Sequence, residues 1–440
     1  MSRTFDWIDA RLATALTPSR RLTLQRPRTL ALGFLGLHAV FLVALLPTIL
    51  TGRVLGDLPL YRQWAELGLG NGFWQGLDVA WVYPIGAMLP IAFAGIAGPL
   101  LYQLLWFLMT AALNAVAVGA LTDWGRRRSG YKPAWYWLLC SFLLSPVGLL
   151  RLEGVTAPIV IVGLVLLARR PVIAALLLAL ATWIKVWPAA VFLAVVTVSS
   201  RKLTMVLTGA ALSAGVAASV WLLDAAQFLT GFVTEQTDRA LQLEAPVTTP
   251  WVWLASLGQH DTLIYENFAI ATREVSGPGA GLVASLMTPV MFGAIAAIFV
   301  LMVIAQRRQA DAAELLLLGS LALVSAFIVF NKVGSPQYML WLVPIVAVGV
   351  GRSWAAWRVP AVLMLAISAL TTLIFPIFYL PLIDGNLFSL LLLTTRNGLL
   401  VALGGWSIVA LARSAHTAPR SEAAAGARRA LPVGQGRIDG

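Results

Sequence analysis

Residues 29–61 read TLALGFLGLHAVFLVALLPTILTGRVLGDLPLY. As far as Leu50 this is one apolar run without a charged residue, and a helix rising about 1.5 Å per residue would carry it across ~30 Å of hydrocarbon. Then comes Gly56-Asp57-Leu58-Pro59-Leu60-Tyr61, which puts a carboxylate where a membrane span meets water. Asp57 is therefore the first candidate for chemistry. The loop it opens runs to Tyr83-Pro84 and adds Arg62, Trp64, Glu66, Trp74, Asp78 and Trp81. Such a mixture of charge and aromatic rings suits an interfacial pocket for an amphipathic molecule, and equally a solvated loop carrying an aromatic belt.

The rest of the chain fits that start. Of 440 residues, 59% are hydrophobic and 11% charged, with a mean hydropathy of +0.84. A soluble protein of this balance would have nowhere to bury its apolar surface, so the expected class is an all-α, polytopic helical membrane protein. Its apolar runs are continuous and do not alternate, which excludes a β-barrel. Residues 1–28 are polar and Arg-rich, without a short apolar core and cleavage site, and are expected to be a cytoplasmic segment and no signal peptide. Cys140 is the single cysteine, and the histidines are His38, His260 and His416. An intramolecular disulfide is excluded, and neither a metal site nor a cofactor is expected.

Apolar runs capable of entering the membrane lie at about 29–51, 100–123, 134–150, 155–168, 171–184, 186–199, 203–223, 281–305, 312–330, 338–351, 359–379 and 388–412. Several are shorter than the ~20 residues a full span needs, so about 10–12 transmembrane helices are expected, some of them half-helices or re-entrant pairs. With both termini inside, most of the basic residues fall on inner segments, among them Arg20, Arg21, Arg126, Arg127, Arg128, Arg169, Arg170, Arg201, Arg307 and Arg352. The net charge of +12 is thus a topology signal of the positive-inside kind, and no nucleic-acid partner is expected.

The outer side then holds loops 52–99 and 224–280, within a membrane domain of residues 29–412. Residues 85–99 are broken by Pro90, Gly95 and Gly98 and are expected to form an interfacial or re-entrant helix. Residues 224–280, rich in Trp and Tyr, are expected to form a cap of short helices over the outer mouth, because long loops in compact proteins are usually functional or disordered. The stretch 413–440, rich in Ala, Arg, Gly and Pro, is expected to be a disordered inner tail.

Charges at membrane depth cost several kcal/mol unless paired or hydrated, so each is a functional candidate. Glu153, in Arg151-Leu152-Glu153-Gly154, positions a hydroxyl or pairs with Arg151. Lys185, in Trp183-Ile184-Lys185-Val186-Trp187-Pro188, tips a hairpin of two short helices; it snorkels to the interface or binds a phosphate, as a compact ammonium at the base of an apolar cleft would. Arg396 is a buried partner for an outer acid such as Asp384, or a phosphate contact. Asn331-Lys332-Val333-Gly334-Ser335-Pro336-Gln337-Tyr338 is a polar turn with a helix break at Ser335-Pro336, and it turns Gln337 and Tyr338 toward the outer cleft.

Taken together, several motifs carry a resemblance. They are Gly56-Asp57-Leu58-x-x-Tyr61-x-x-Trp64 after a span, Tyr83-Pro84 before a broken apolar helix, Ile184-Lys185-x-x-Pro188, and Ser335-Pro336-Gln337-Tyr338-x-x-Trp341-Leu342-x-Pro344. From about residue 50 to 350 the chain resembles the GT-C membrane glycosyltransferases. More narrowly, it is similar to the polyprenyl-phosphate-mannose-dependent α-1,2-mannosyltransferases of mycobacteria and their relatives.

The resemblance implies a transferase of the bacterial plasma membrane with its active site on the outer face. Its donor would be a polyprenyl-phosphate sugar, with mannose the expected sugar, and its acceptor a glycolipid or cell-envelope glycan beside the membrane lipids. Asp57 maps onto the family's general base, and Lys185 onto the lysine near the donor phosphate, with Lys332 and Arg396 as further phosphate contacts. Tyr61, Trp64, Tyr83, Glu153, Gln337, Tyr338 and His260 are the expected substrate contacts. Where some relatives carry histidines, this chain has Gln337 and Tyr338, so Asp57 is expected to work alone, with His260 as the other candidate. Two alternatives stay open: an arabinofuranosyl or other pentosyl transferase of the same fold, and a membrane transporter or lipid flippase, which broken helices would also suit.

Overall fold

Proline opens many of the helices in this chain. Pro27, Pro171 and Pro188 each stand in the first turn of a helix, where the missing N–H removes no hydrogen bond and φ is already helical. The computed structural model describes residues 10, 11, 14, 17–144, 147–235, 239–259, 261–267 and 272–417. Among these, seven helices are long and apolar enough to cross a membrane: Pro27–Leu50, Pro99–Thr122, Lys202–Leu222, Ala280–Arg307, Ala312–Val329, Trp354–Ile377 and Leu387–His416.

The axis of the fold is Ala312–Val329. It is buried on nearly every side and packs against Leu387–Thr417, Pro188–Val198 and Ala280–Arg307. By contrast, Lys202–Leu222 and Ala280–Arg307 turn Leu203, Leu207, Trp221, Leu282 and Phe292 outward. All of these helices are apolar all round, so position in the bundle decides which contact protein and which contact lipid.

Between the long helices lie short ones: Tyr131–Leu143, Glu153–Leu166, Pro171–Ile184, Pro188–Val198 and Val343–Arg352. With 10 to 14 residues each, they rise about 15–21 Å and stop short of the ~30 Å core. The expected 10–12 spans thus resolve into seven full-length helices and a set of shorter, mostly buried ones. The expected run 134–150 ends as helix at Leu143. The run 338–351 is a 3₁₀ segment, Pro336–Trp341, followed by Val343–Arg352.

Residues 85–99 form a short helix, Met88–Gly95, entered through a 3₁₀ turn at Ile85–Ala87. The cap differs from expectation. It holds the short helices Gly231–Thr234 and Thr249–Ser256, but also an antiparallel sheet of Leu241–Gln242, Thr272–Ser276 and Leu263–Asn267 in that spatial order. The register pairs Leu241 with Val275 and Tyr265 with Glu274. Neither Leu263–Asn267 nor Thr272–Ser276 alternates in burial: Glu274 and Val275, adjacent on the central strand, are both buried, whereas Leu263 on the outer strand is exposed. The last helix continues to Thr417, past residue 413, the expected start of the tail; residues 418–440, the rest of that expected tail, lie outside the described residues.

At the opposite end from Asp57, Asp311 accepts from the Glu314 amide at 2.8 Å, as a helix N-cap does. Arg352 pairs with both Asp311 and Glu314, at 2.6 and 3.3 Å, and Trp357 Nε1 donates to Glu314 at 3.1 Å. These ties hold the ends of three helices together on the Arg-rich side.

Candidate active site

Gly56 adopts φ +67°, a conformation that costs an L-residue with a Cβ about 1–2 kcal/mol. That turn delivers Asp57 to the N-terminus of helix Leu58–Asn71. Asp57 does not cap the helix with its side chain, and its carboxylate faces elsewhere. Arg151 Nη1 donates to Asp57 Oδ2 at 2.8 Å, and the Tyr61 hydroxyl, one helical turn on, donates to the same oxygen at 3.4 Å. Burial pushes the Tyr61 phenol well above its ordinary range, with Tyr83, Asp57 and Glu153 adding to the effect; its hydroxyl stays protonated and a donor.

Beside this pair lies a second. Glu153, wholly buried, accepts from Lys185 Nζ at 3.2 Å and from Trp341 Nε1 at 3.4 Å, all through Oε1. Its Oε2 is buried without a hydrogen-bond partner among the described residues. Lys185 falls where helix Pro171–Ile184 breaks in extended backbone before Pro188, and its ammonium lies 4.3 Å from the centre of the Tyr83 ring. The two pairs form one cluster through Tyr83, whose ring meets both the Tyr61 ring, at 6.2 Å, and the Lys185 ammonium, at 4.3 Å.

Gly154 shows how closely the turn is packed: a Cβ there would come within 2.4 Å of the Gly148 carbonyl oxygen. Aromatic rings complete the walls. Tyr61, Trp64, Trp81 and Tyr83 meet with centroids 5.2 to 6.2 Å apart, and Tyr338 stacks on Trp341 at 4.0 Å. Trp341 in turn stacks on Trp187 at 5.9 Å. Of the four charged groups, Asp57 is the most open, with 25% of its side chain exposed against 10% for Arg151 and Lys185.

The structure therefore brings together Asp57, Tyr61, Trp64, Tyr83, Glu153, Lys185 and Tyr338. The suggested Glu153–Arg151 pair is replaced by a crossed arrangement, Asp57 with Arg151 and Glu153 with Lys185. Gln337 is buried nearby on the Pro336–Trp341 turn, with its Oε1 unpartnered among the described residues. Arg151 is the residue that sequence inspection undervalues; an arginine two positions from a buried glutamate, at the end of an apolar run, is the signal that marks it. Another is Arg239, whose buried Nε has no hydrogen-bond partner among the described residues.

Two expected phosphate contacts have other surroundings. Arg396 is 1% exposed; it donates to Glu244 Oε2 at 2.8 Å, to the Glu244 carbonyl at 2.7 Å and to Asn397 Oδ1 at 2.9 Å. It is the buried partner of an outer acid, and that acid is Glu244, not Asp384. With its donors engaged this way, Arg396 is not available to a phosphate. Lys332 lines a cavity of about 380 Å³ beside the cap sheet, with Arg239, Tyr265 and Ser276. Trp251 and Trp253 anchor the cap through Pro278 and Thr394. His260 lies outside the described residues. Among the described residues, no group of three or more His, Cys, Asp or Glu stands together as a metal site.

The sequence model of glycosyltransferase family 87 matches residues 81–330. No curated protein sequence matches the chain. Among solved structures, ArnT from Cupriavidus metallidurans bound to undecaprenyl phosphate aligns at 15% identity with a TM-score of 0.42, covering 86% of this chain and 78% of that one. The apo state of the same protein aligns at 14% identity and 0.42, covering 89% and 78%.

Proposed function

The chain belongs to glycosyltransferase family 87, and from that premise we propose that it is a GT-C enzyme moving a sugar from a polyprenyl-phosphate donor to a glycolipid or cell-envelope glycan on the outer face of the plasma membrane. Mannose is the sugar we assign, on the motif resemblance alone. An arabinofuranose or other pentose is the alternative within the same chemistry. Family membership sets the transporter or flippase alternative aside.

One observation carries the assignment of roles. Arg151 and Tyr61 both bond Asp57 through Oδ2, and Oδ1 has no hydrogen bond among the described residues. In this scheme Oδ1 accepts the proton of the acceptor hydroxyl as that oxygen attacks the anomeric carbon, in the manner of a general base. The bond between the anomeric carbon and the phosphate oxygen breaks, and the polyprenyl phosphate leaves with the electron pair. Lys185, held on Glu153, supplies positive charge where the leaving phosphate develops its own. Arg151 fixes the Asp57 carboxylate, so that little reorganisation accompanies proton transfer.

The test is transfer of radiolabelled mannose from polyprenyl-phosphate mannose to a membrane glycolipid extract by the purified protein in detergent. Transfer that vanishes in Asp57→Asn while donor binding persists supports the scheme. Wild-type protein that binds no polyprenyl phosphate overturns it, and binding without mannose transfer moves the assignment to a pentose donor.

A further inference from the structure

At the end of the bundle opposite Asp57, the short helices leave a hollow. Glu153–Leu166, Pro188–Val198 and Val343–Arg352 all end there, beside the start of Ala312–Val329. The cavity they bound has a volume of about 630 Å³, inside the about 300–1,000 Å³ range of ligand sites. Its deeper wall is apolar, with Leu164, Val165, Leu316 and Leu317; its rim carries Arg127, Arg201 and Arg352, together with Ser129, Ser199 and Ser200.

The rim is positively charged in a specific way. Arg352 is neutralised by Asp311 and Glu314. Arg127 gives one nitrogen to the Leu121 carbonyl at 2.8 Å, and neither it nor Arg201 has an ion pair among the described residues. Ser199 Oγ accepts from the Arg201 amide at 3.0 Å, which fixes the turn that presents Arg201. Two guanidiniums without an ion pair among the described residues thus stand over an apolar floor. Guanidinium recognises phosphate through paired, forked hydrogen bonds, and basic pockets between helices on the cytoplasmic side are where anionic headgroups settle.

We propose that this cavity is a binding site for an anionic phospholipid of the cytoplasmic leaflet, its phosphate on Arg127 and Arg201 and its acyl chain against Leu164, Val165, Leu316 and Leu317. The shared chemistry is a phosphate anion; the apolar floor selects the lipid over free phosphate. The site is separate from the Asp57 cluster and does not depend on the function proposed for it.

Full-length protein in zwitterionic detergent would be titrated with phosphatidylglycerol, with phosphatidylcholine and with inorganic phosphate, following bound lipid by native mass spectrometry and the thermal unfolding midpoint. The expected result is one retained phosphatidylglycerol that raises the midpoint, no comparable retention of phosphatidylcholine, and no effect of phosphate. Arg127→Gln/Arg201→Gln is expected to weaken that binding about tenfold or more, whereas Arg170→Gln, outside the cavity, leaves it unchanged. Ala313→Phe, which fills the cavity and keeps every arginine, is expected to remove the bound lipid as well, so the test survives a poorly folded double variant. Equal retention of both lipids, protection by inorganic phosphate alone, or unaltered binding in both Arg127→Gln/Arg201→Gln and Ala313→Phe would overturn the proposal.

Discussion

Arg151 and Asp57, 94 positions apart in the chain, meet at 2.8 Å, while Glu153, two residues beyond Arg151, turns to Lys185. The two ion pairs cross. One acid is left partly open to solvent and the other is sealed; in the proposed mechanism the open one takes the acceptor's proton and the sealed one holds Lys185.

Replacing Asp57 with Asn keeps the shape and the bond from Tyr61 but removes the base. Sugar transfer is expected to fall about 10²–10⁴-fold, with donor affinity changed far less. A filter-binding assay with labelled polyprenyl phosphate, run beside the transfer assay, checks both halves.

Glu153 and Lys185 form a pair that is better removed whole than halved. Glu153→Gln or Lys185→Met alone leaves an unpaired buried charge and is expected to destabilise by about 3–5 kcal/mol, and the double variant by clearly less. Denaturation midpoints of the four proteins in one detergent measure the coupling. Both variants lacking Lys185 are expected to bind donor weakly, so stability and affinity part company in the double variant.

Gly56→Ala puts a Cβ on a backbone at φ +67° with no bulky neighbour in the way, since the nearest atom would be 3.7 Å off. The strain of about 1–2 kcal/mol falls on the turn that presents Asp57. Activity is therefore expected to drop more than the melting temperature implies, and the comparison of the two quantities is the check.

Arg396→Gln separates a structural arginine from a phosphate ligand. The variant strands Glu244 and is expected to lose several kcal/mol of stability, while the folded fraction binds donor with unchanged affinity. A tenfold loss of affinity in protein that stays folded would return Arg396 to the donor site.

Much of this site is legible in the chain because charge is scarce there. Asp57, Glu153 and Lys185 stand out against an apolar background, and the prolines beside them mark where helices break. The pairing is not legible. Arg151 lies two positions from Glu153, and neighbouring opposite charges invite a local pair; only the fold shows that a residue in a 3.2 Å contact with Glu153 arrives from the next hairpin. The cap sheet is hidden for a related reason, since strands of two to five residues are set by their cross-strand partners more than by their own composition. Arg396 and Lys185 look alike as buried cations, and what separates them is the partner each one holds, Glu244 against Glu153.

The bond from Arg396 to Glu244 has a bearing on motion. Glu244 follows the first strand of the cap, and Arg396 belongs to the last long helix, so raising the cap would pull a carboxylate from a guanidinium that no water can reach. That bond ties the cap to the bundle. On the proposed function, a donor with a hydrocarbon tail would then enter from the side, between helices, past the aromatic rings of Tyr61, Trp64, Trp81 and Tyr83.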